Sequence, residues 1–178
     1  MIKIDESKGV LGILVNAISM ELEGKAFFEE VATKARNART RETFMSLVKQ
    51  EQRHVDILGE EKRRMESGMD WAALEEMKRS APSYPKISVF RDKEFRNLRF
   101  DPESGELEAL RVGIEVEKKS IEYYRNAASQ APEPKAREVF NWLVGEEAGH
   151  LTILTAELEY RTGSGFYYDN PEFSLEVM

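Results

Sequence analysis

Apolar residues recur along this chain with the period of a helix, in four long stretches. From about Ser7 to Arg36, Ala17, Met20, Glu21, Gly24, Phe27, Phe28 and Val31 follow i, i+3, i+4, i+7 spacing and so share one helical face. ARNART reads as a turn. A second helix is expected from about Thr40 to Met65, with Phe44, Leu47, Val48, Val55 and Leu58 facing inward. SGMD interrupts it at Ser67–Asp70, and WAALEEMKR reads as a short extra helix capped by Asp70. A third long helix is expected from about Gly105 to Gln130. A fourth follows the APEP turn, from about Lys135 to Arg161. Gly163 and Gly165 end regular structure there. The aromatic tail GFYYDNPEFSLEVM, with Pro171, should pack on the bundle as irregular chain or a short helix.

Residues 80–103 differ in character. Pro82, Pro85 and Pro102 fall here with KISVF between them, which reads as an extended connection and not as a linker between domains. Adjacent antiparallel helices need only short loops. A connection of roughly 40 residues can run the length of a bundle and reset direction, as in ferritin-like folds. The expected architecture is all-α: a ferritin-like four-helix bundle of two duplicated antiparallel hairpins. A single domain spans 1–178, with hairpins at about 7–66 and 105–161, a crossover at about 67–104 and a tail at 162–178.

The two hairpins repeat one another at an offset of 96 residues. Glu51 maps to Glu147 and His54 to His150, so FMSLVKQEQRHVDIL and FNWLVGEEAGHLTIL are two copies of one helix. Ile18 maps to Ile114, Glu21 to Glu117, and Phe27–Phe28 to Tyr123–Tyr124. Two equivalent triads result: Glu21, Glu51, His54 and Glu117, Glu147, His150. The midpoint of Glu21 and Glu51 is residue 36, and that of Glu117 and Glu147 is residue 132; both fall in expected turns. With about 1.5 Å rise per residue, residues equidistant from a hairpin turn lie at one height.

These carboxylates also share the core stripes. Glu51 lies among Phe44, Leu47, Val48, Val55 and Leu58, and Glu147 among Phe140, Leu143, Val144, Leu151 and Leu154. Glu117 sits with Leu110, Ile114, Ser120, Ile121 and Tyr124. A lone Glu-x-x-His in a Glu-rich helix is ordinarily a solvated pair. Four carboxylates buried together without cations are strongly unfavourable through desolvation and repulsion. Two divalent cations would neutralise them, with one neutral histidine per metal. One Glu from each of two helices plus Glu-x-x-His from each of the other two is the ligand pattern of di-iron and di-manganese carboxylate bundles. Glu51 and Glu147 would bridge the metals, with Glu21 and Glu117 more terminal. Tyr124 follows Glu117 by two turns on the same face, so its hydroxyl is placed to hydrogen-bond a ligand carboxylate. Phe28, its counterpart after Glu21, cannot, so the two halves should differ.

Composition narrows the rest. A net charge of −7 and a pI near 5.1 speak against nucleic acid or an anionic membrane as main partner. The absence of cysteine excludes disulfides, thiolate catalysis and cysteine-ligated clusters. MIKIDESKGV has no apolar signal core, and no apolar run approaches the roughly 18 residues of a membrane span, so a cytoplasmic location is expected. The methionines form no copper-binding box and should fill gaps in the core. EEKRR and LEEMKR read as solvated charged faces.

Taken together, AISMELEGKAFF, KQEQRHVDIL, GIEVEKKSIEYY and GEEAGHLTIL resemble the rubrerythrin-like branch of the ferritin-like superfamily, over roughly residues 10–60 and 106–161. The resemblance implies a four-helix bundle with a di-iron site on Glu21, Glu51, His54, Glu117, Glu147 and His150. It also implies oxidation of Fe(II) by peroxide or dioxygen in oxidative-stress defence. Rubrerythrins proper carry a cysteine-ligated rubredoxin domain; here a separate electron donor would be needed. They also usually carry a further ligand glutamate one turn after the third-helix glutamate, where this chain has Ser120. The six remaining ligands resemble those of bacterioferritin. The tail after Gly163 does not read as a long fifth helix, which disfavours ferritin-type storage. A metal-holding bundle without turnover, containing iron, manganese or zinc, is the alternative, and a metal-free interaction protein a third. A homodimer is compatible with a long bundle, although no residue specifies one.

Overall fold

A computed structural model describes residues 9–77, 79 and 105–163. Four long helices dominate: α1 (Gly9–Lys34), α2 (Ala38–Glu66), α4 (Glu106–Gln130) and α5 (Pro134–Thr162), with a short α3 (Leu74–Met77) after α2. No strand occurs among the described residues. The connection carrying KISVF, Pro82, Pro85 and Pro102, and the tail with Gly165 and Pro171, lie outside them.

Local chemistry sets the helix ends. Asn37 caps α2, its side chain accepting the Thr40 N–H at 3.0 Å, so α2 begins at Ala38, two residues before the position expected. Pro134 occupies the first turn of α5, where its missing N–H costs nothing. Gly163 ends α5 in the left-handed region at φ 65°, a conformation glycine adopts without a Cβ penalty.

The short helix departs from expectation at its start. Asp70 does not cap it; α3 begins at Leu74. Trp71 and Ala72 are instead buried against the bundle, and the Ala72 N–H reaches both oxygens of Glu61 at 3.3 Å. Packing these two residues holds the chain out of helix until Ala73. The same contact corrects the reading of EEKRR as a solvated face, because Glu61 is fully buried. Burial raises its carboxyl above the usual range, against the Ala72 hydrogen bond and the Arg64 charge. Met20 and Met77 fill the core as expected, whereas Met45 and Met69 are exposed.

Side-chain contacts orient the bundle. The N–H groups of Arg36 and Asn37, just beyond α1, donate to Glu106 at the start of α4. Tyr123, late in α4, donates to the Ile13 carbonyl early in α1 at 2.7 Å. Hence α1 and α4 run antiparallel. Arg39 at the start of α2 pairs with buried Glu157 near the end of α5 at 2.8 Å, so these helices are antiparallel too. Arg161 completes a clasp at this end, donating to Thr40 Oγ1 and Glu106 Oε2, each at 2.6 Å. The end of α2 and the start of α4 therefore lie at opposite ends of the bundle.

The core divides into two apolar clusters. One contains Leu14, Ala17, Val55, Leu58, Tyr124, Phe140 and Leu143. The other contains Phe28, Val31, Phe44, Leu47, Leu110 and Leu154. Each fully buried side chain of this size contributes about 1.5–3 kcal/mol. Val144, Leu151 and Ile114 are only half-buried, at the edge of their expected stripes. Gly113 allows close approach: a Cβ there would meet Leu154 Cδ1 at 3.1 Å and Phe28 Cε1 at 3.4 Å. Following each helix, Glu21, Glu51, Glu117 and Glu147 fall between the two clusters, forming a polar layer inside the bundle.

Candidate metal centre

Every member of the polar layer is buried: Glu21, Glu51, His54, Glu117, Glu147 and His150 are all at most 3% exposed. Helical spacing explains the placement, because each glutamate replaces an apolar residue on a core-facing stripe and each histidine sits one turn beyond. Both histidines direct Nδ1 into the layer. Their rings stack with centroids 5.4 Å apart.

Glu51 and Glu147 each address both histidines. Glu51 Oε1 lies 3.0 Å from His150 Nδ1, and Oε2 lies 3.7 Å from His54 Nδ1. Glu147 Oε1 lies 3.2 Å from His54 Nδ1, and Oε2 lies 3.1 Å from His150 Nδ1. The other two carboxylates are one-sided. Glu21 Oε2 is 3.2 Å from His54 Nδ1, and Glu117 Oε1 is 3.5 Å from His150 Nδ1. Two quartets of ligand atoms result, each spanning no more than 4.8 Å: Glu21, Glu51, His54, Glu147 and Glu51, Glu117, Glu147, His150. They share Glu51 and Glu147.

Charge is distributed unevenly over the layer. Burial, then the charges of Glu147 and Glu51, hold the Glu21 carboxyl well above the carboxylate range. Burial does the same to Glu117, outweighing the opposing pull of nearby His150. For Glu51, burial is overcome by its neighbours Glu21, His150 and His54, which hold it below that range. Burial and the Glu51 charge oppose ionisation of Glu147, but both histidines lower it. The imidazoles are pushed well above their usual value. Burial is offset by the charges of Glu21 and Glu147 at His54, and by the carboxylates of Glu117, Glu147 and Glu51 at His150.

Tyr124 is fully buried, and its hydroxyl donates to Glu21 Oε1. It therefore reaches a carboxylate of the layer across the bundle, on α1, and not Glu117 on its own helix. Burial, then the Glu21 charge, keeps the phenol neutral. Phe28, at the matching place, packs on Phe44 in the apolar core.

Two residues that the helical pattern did not single out face the outer ring nitrogens. Gln50 Oε1 lies 3.2 Å from His150 Nε2. Glu146 Oε2 lies 3.8 Å from His54 Nε2. The signal was present: Gln50 and Glu146 are themselves related by the 96-residue offset, each directly preceding a shared glutamate.

The layer fits metal ions on its own chemistry. Glu117 Oε1 and Glu147 Oε1 are buried and accept no hydrogen bond, which is costly unless a cation meets them. Oxygen and imidazole donors together suit divalent first-row transition ions. Fold and site thus define the class: an all-α ferritin-like bundle with a buried carboxylate–histidine cluster suited to metal. The sequence profile of the rubrerythrin family matches residues 12–158, and the chain belongs to that family. No curated protein and no solved structure matches it. No helix among the described residues is long and apolar enough to cross a membrane.

Proposed function

We propose that this protein is a di-iron oxidoreductase of rubrerythrin type that oxidises Fe(II) with peroxide or dioxygen. The observation that carries the reading is the overlap of two ligand quartets in Glu51 and Glu147. Glu51 and Glu147 would hold both metals, Glu21 and His54 one of them, and Glu117 and His150 the other. Iron held there would supply the redox chemistry, two Fe(II) giving the two electrons needed to reduce one H₂O₂, with two protons, to two waters. The apolar clusters on either side of the layer exclude bulk water. Tyr124 orients Glu21 and keeps a proton at its Oε1. In this reading, with no cysteine in the sequence, the electron donor is a separate protein or molecule and the setting is cytoplasmic.

Stopped-flow oxidation of Fe(II)-loaded protein, purified without oxygen, tests this. H₂O₂ or O₂ should oxidise the iron faster in the native chain than in a Glu51→Ala/Glu147→Ala variant; equal rates overturn the enzymatic reading. A second reading, a metal-holding bundle without turnover, draws support from Ser120. This buried residue stands where the family usually carries a further ligand glutamate. Elemental analysis combined with redox cycling separates the two.

A further inference from the structure

The outer nitrogens of the two histidines are served crosswise. The partner of His150 on α5 is Gln50 on α2, and the group facing His54 on α2 is Glu146 on α5. Each server directly precedes the shared glutamate of its own helix. The arrangement is a matched pair in position and an unmatched pair in charge. Gln50 is a neutral amide, braced by Ser46 Oγ at 3.4 Å. Glu146 is a carboxylate, with the Arg53 guanidinium 3.8 Å away and its side chain 29% exposed.

His54 Nε2 is buried and has no hydrogen-bond partner. At 3.8 Å, Glu146 Oε2 is too far for a formed bond but near enough for a side-chain adjustment to close it. The Trp142 ring stands edge-on to the His54 imidazole, with centroids 5.8 Å apart, and limits rotation of the ring. A histidine that binds metal through Nδ1 carries its proton on Nε2 and places it on an acceptor; a carboxylate acceptor makes the imidazole the stronger donor.

We infer that Glu146 and Gln50 are positioning residues, which hold His54 and His150 with Nδ1 toward the metal pair and make the His54 position the tighter of the two. The inference rests on the proposed metal pair. Its basis is the crosswise geometry, the unpartnered His54 Nε2 and the carboxylate–amide difference between the two halves.

Co(II) titration of the metal-free full-length chain, followed by visible absorption and by competition with a chelator, tests it. The native chain should bind two ions in two resolved steps. Glu146→Gln should weaken the tighter step by about tenfold or more and leave the other nearly unchanged. Gln50→Glu should tighten the weaker step, which keeps the inference testable if the first variant folds poorly. The melting temperature of metal-free Glu146→Gln should match the native value, which a merely structural role would not allow. Two native-like steps in both variants overturn the inference while leaving the metal site standing. Equal weakening of both steps in Glu146→Gln overturns the crosswise pairing. A native chain that binds no Co(II) overturns the metal reading and this inference with it.

Discussion

Loading the polar layer with divalent metal should release protons, in a number set by how charge is held there. Without metal, the surroundings favour the ionised form of Glu51 and Glu147, the protonated form of Glu21 and Glu117 and the charged form of both imidazoles, an arrangement in which two negative charges would face two positive ones. Two divalent ions add four positive charges to a site with almost no solvent contact. Neutrality returns when Glu21, Glu117, His54 and His150 each lose a proton. The alternative leaves uncompensated charge in the core, which costs several kcal/mol per ion. Near pH 6, below the ordinary histidine value, the expected release is about four protons for two ions, or about two per ion. Zn(II) titration of weakly buffered metal-free protein with a pH indicator measures it, free of redox chemistry. Release of fewer than about one proton per ion would refute the reasoning. The same charges set the pH dependence of the metal-free fold. Glu21, Glu117 and both histidines have folded values above their unfolded ones. Their stabilisation is therefore present below the unfolded values and lost as pH rises through the folded ones. Glu51 and Glu147 act oppositely and lose theirs as pH falls below the carboxylate range. Metal-free protein should be most stable at mildly acid pH. On the alkaline side it should lose about 1.4 kcal/mol per pH unit for each proton the folded form retains beyond the unfolded chain. Metal-loaded protein, whose site has given up these protons, should not show that alkaline loss.

Other consequences follow from single residues. Glu147→Ala should abolish binding of both ions and Glu117→Ala only one, read as metal per chain by elemental analysis; equal losses would contradict the shared role of Glu147. Tyr124→Phe removes the hydroxyl on Glu21 and should cost about 1–2 kcal/mol of metal-free stability in denaturant melts. Gly113→Ala should destabilise by about 1 kcal/mol through crowding against Leu154 and Phe28. Gly145→Ala, where a Cβ meets nothing within 4 Å in a helix interior, should gain about 0.5–1 kcal/mol. The opposite order of melting temperatures for these two variants would contradict the packing described.

The long helices were legible because their apolar residues keep one period over many turns and end at strong signals such as Gly163. The six residues of the polar layer were legible for a different reason: two histidines in the chain and a single offset tie them together. Contacts that cross between helices were mostly hidden from the helical pattern. Glu61 looks like a surface residue in EEKRR, and only the return of Trp71 and Ala72 onto α2 buries it. Tyr124 was placed on a ligand carboxylate by its spacing from Glu117, and the bundle geometry determines that this carboxylate is Glu21. Gln50 and Glu146 sit beside the shared glutamates but off the core stripe, so helical periodicity passes over them. Asp70 has the right chemistry for a cap, but packing of the two residues after it decides where α3 begins.

The central claim is a pair of metal ions held jointly by Glu51 and Glu147 between His54 and His150. Anomalous diffraction from crystals of the Fe(II)-loaded chain tests it most directly. Two peaks are predicted between the histidines, each next to one Nδ1 and both next to Glu51 and Glu147. A single peak, an ion bound through Nε2, or metal only outside the layer would contradict the account.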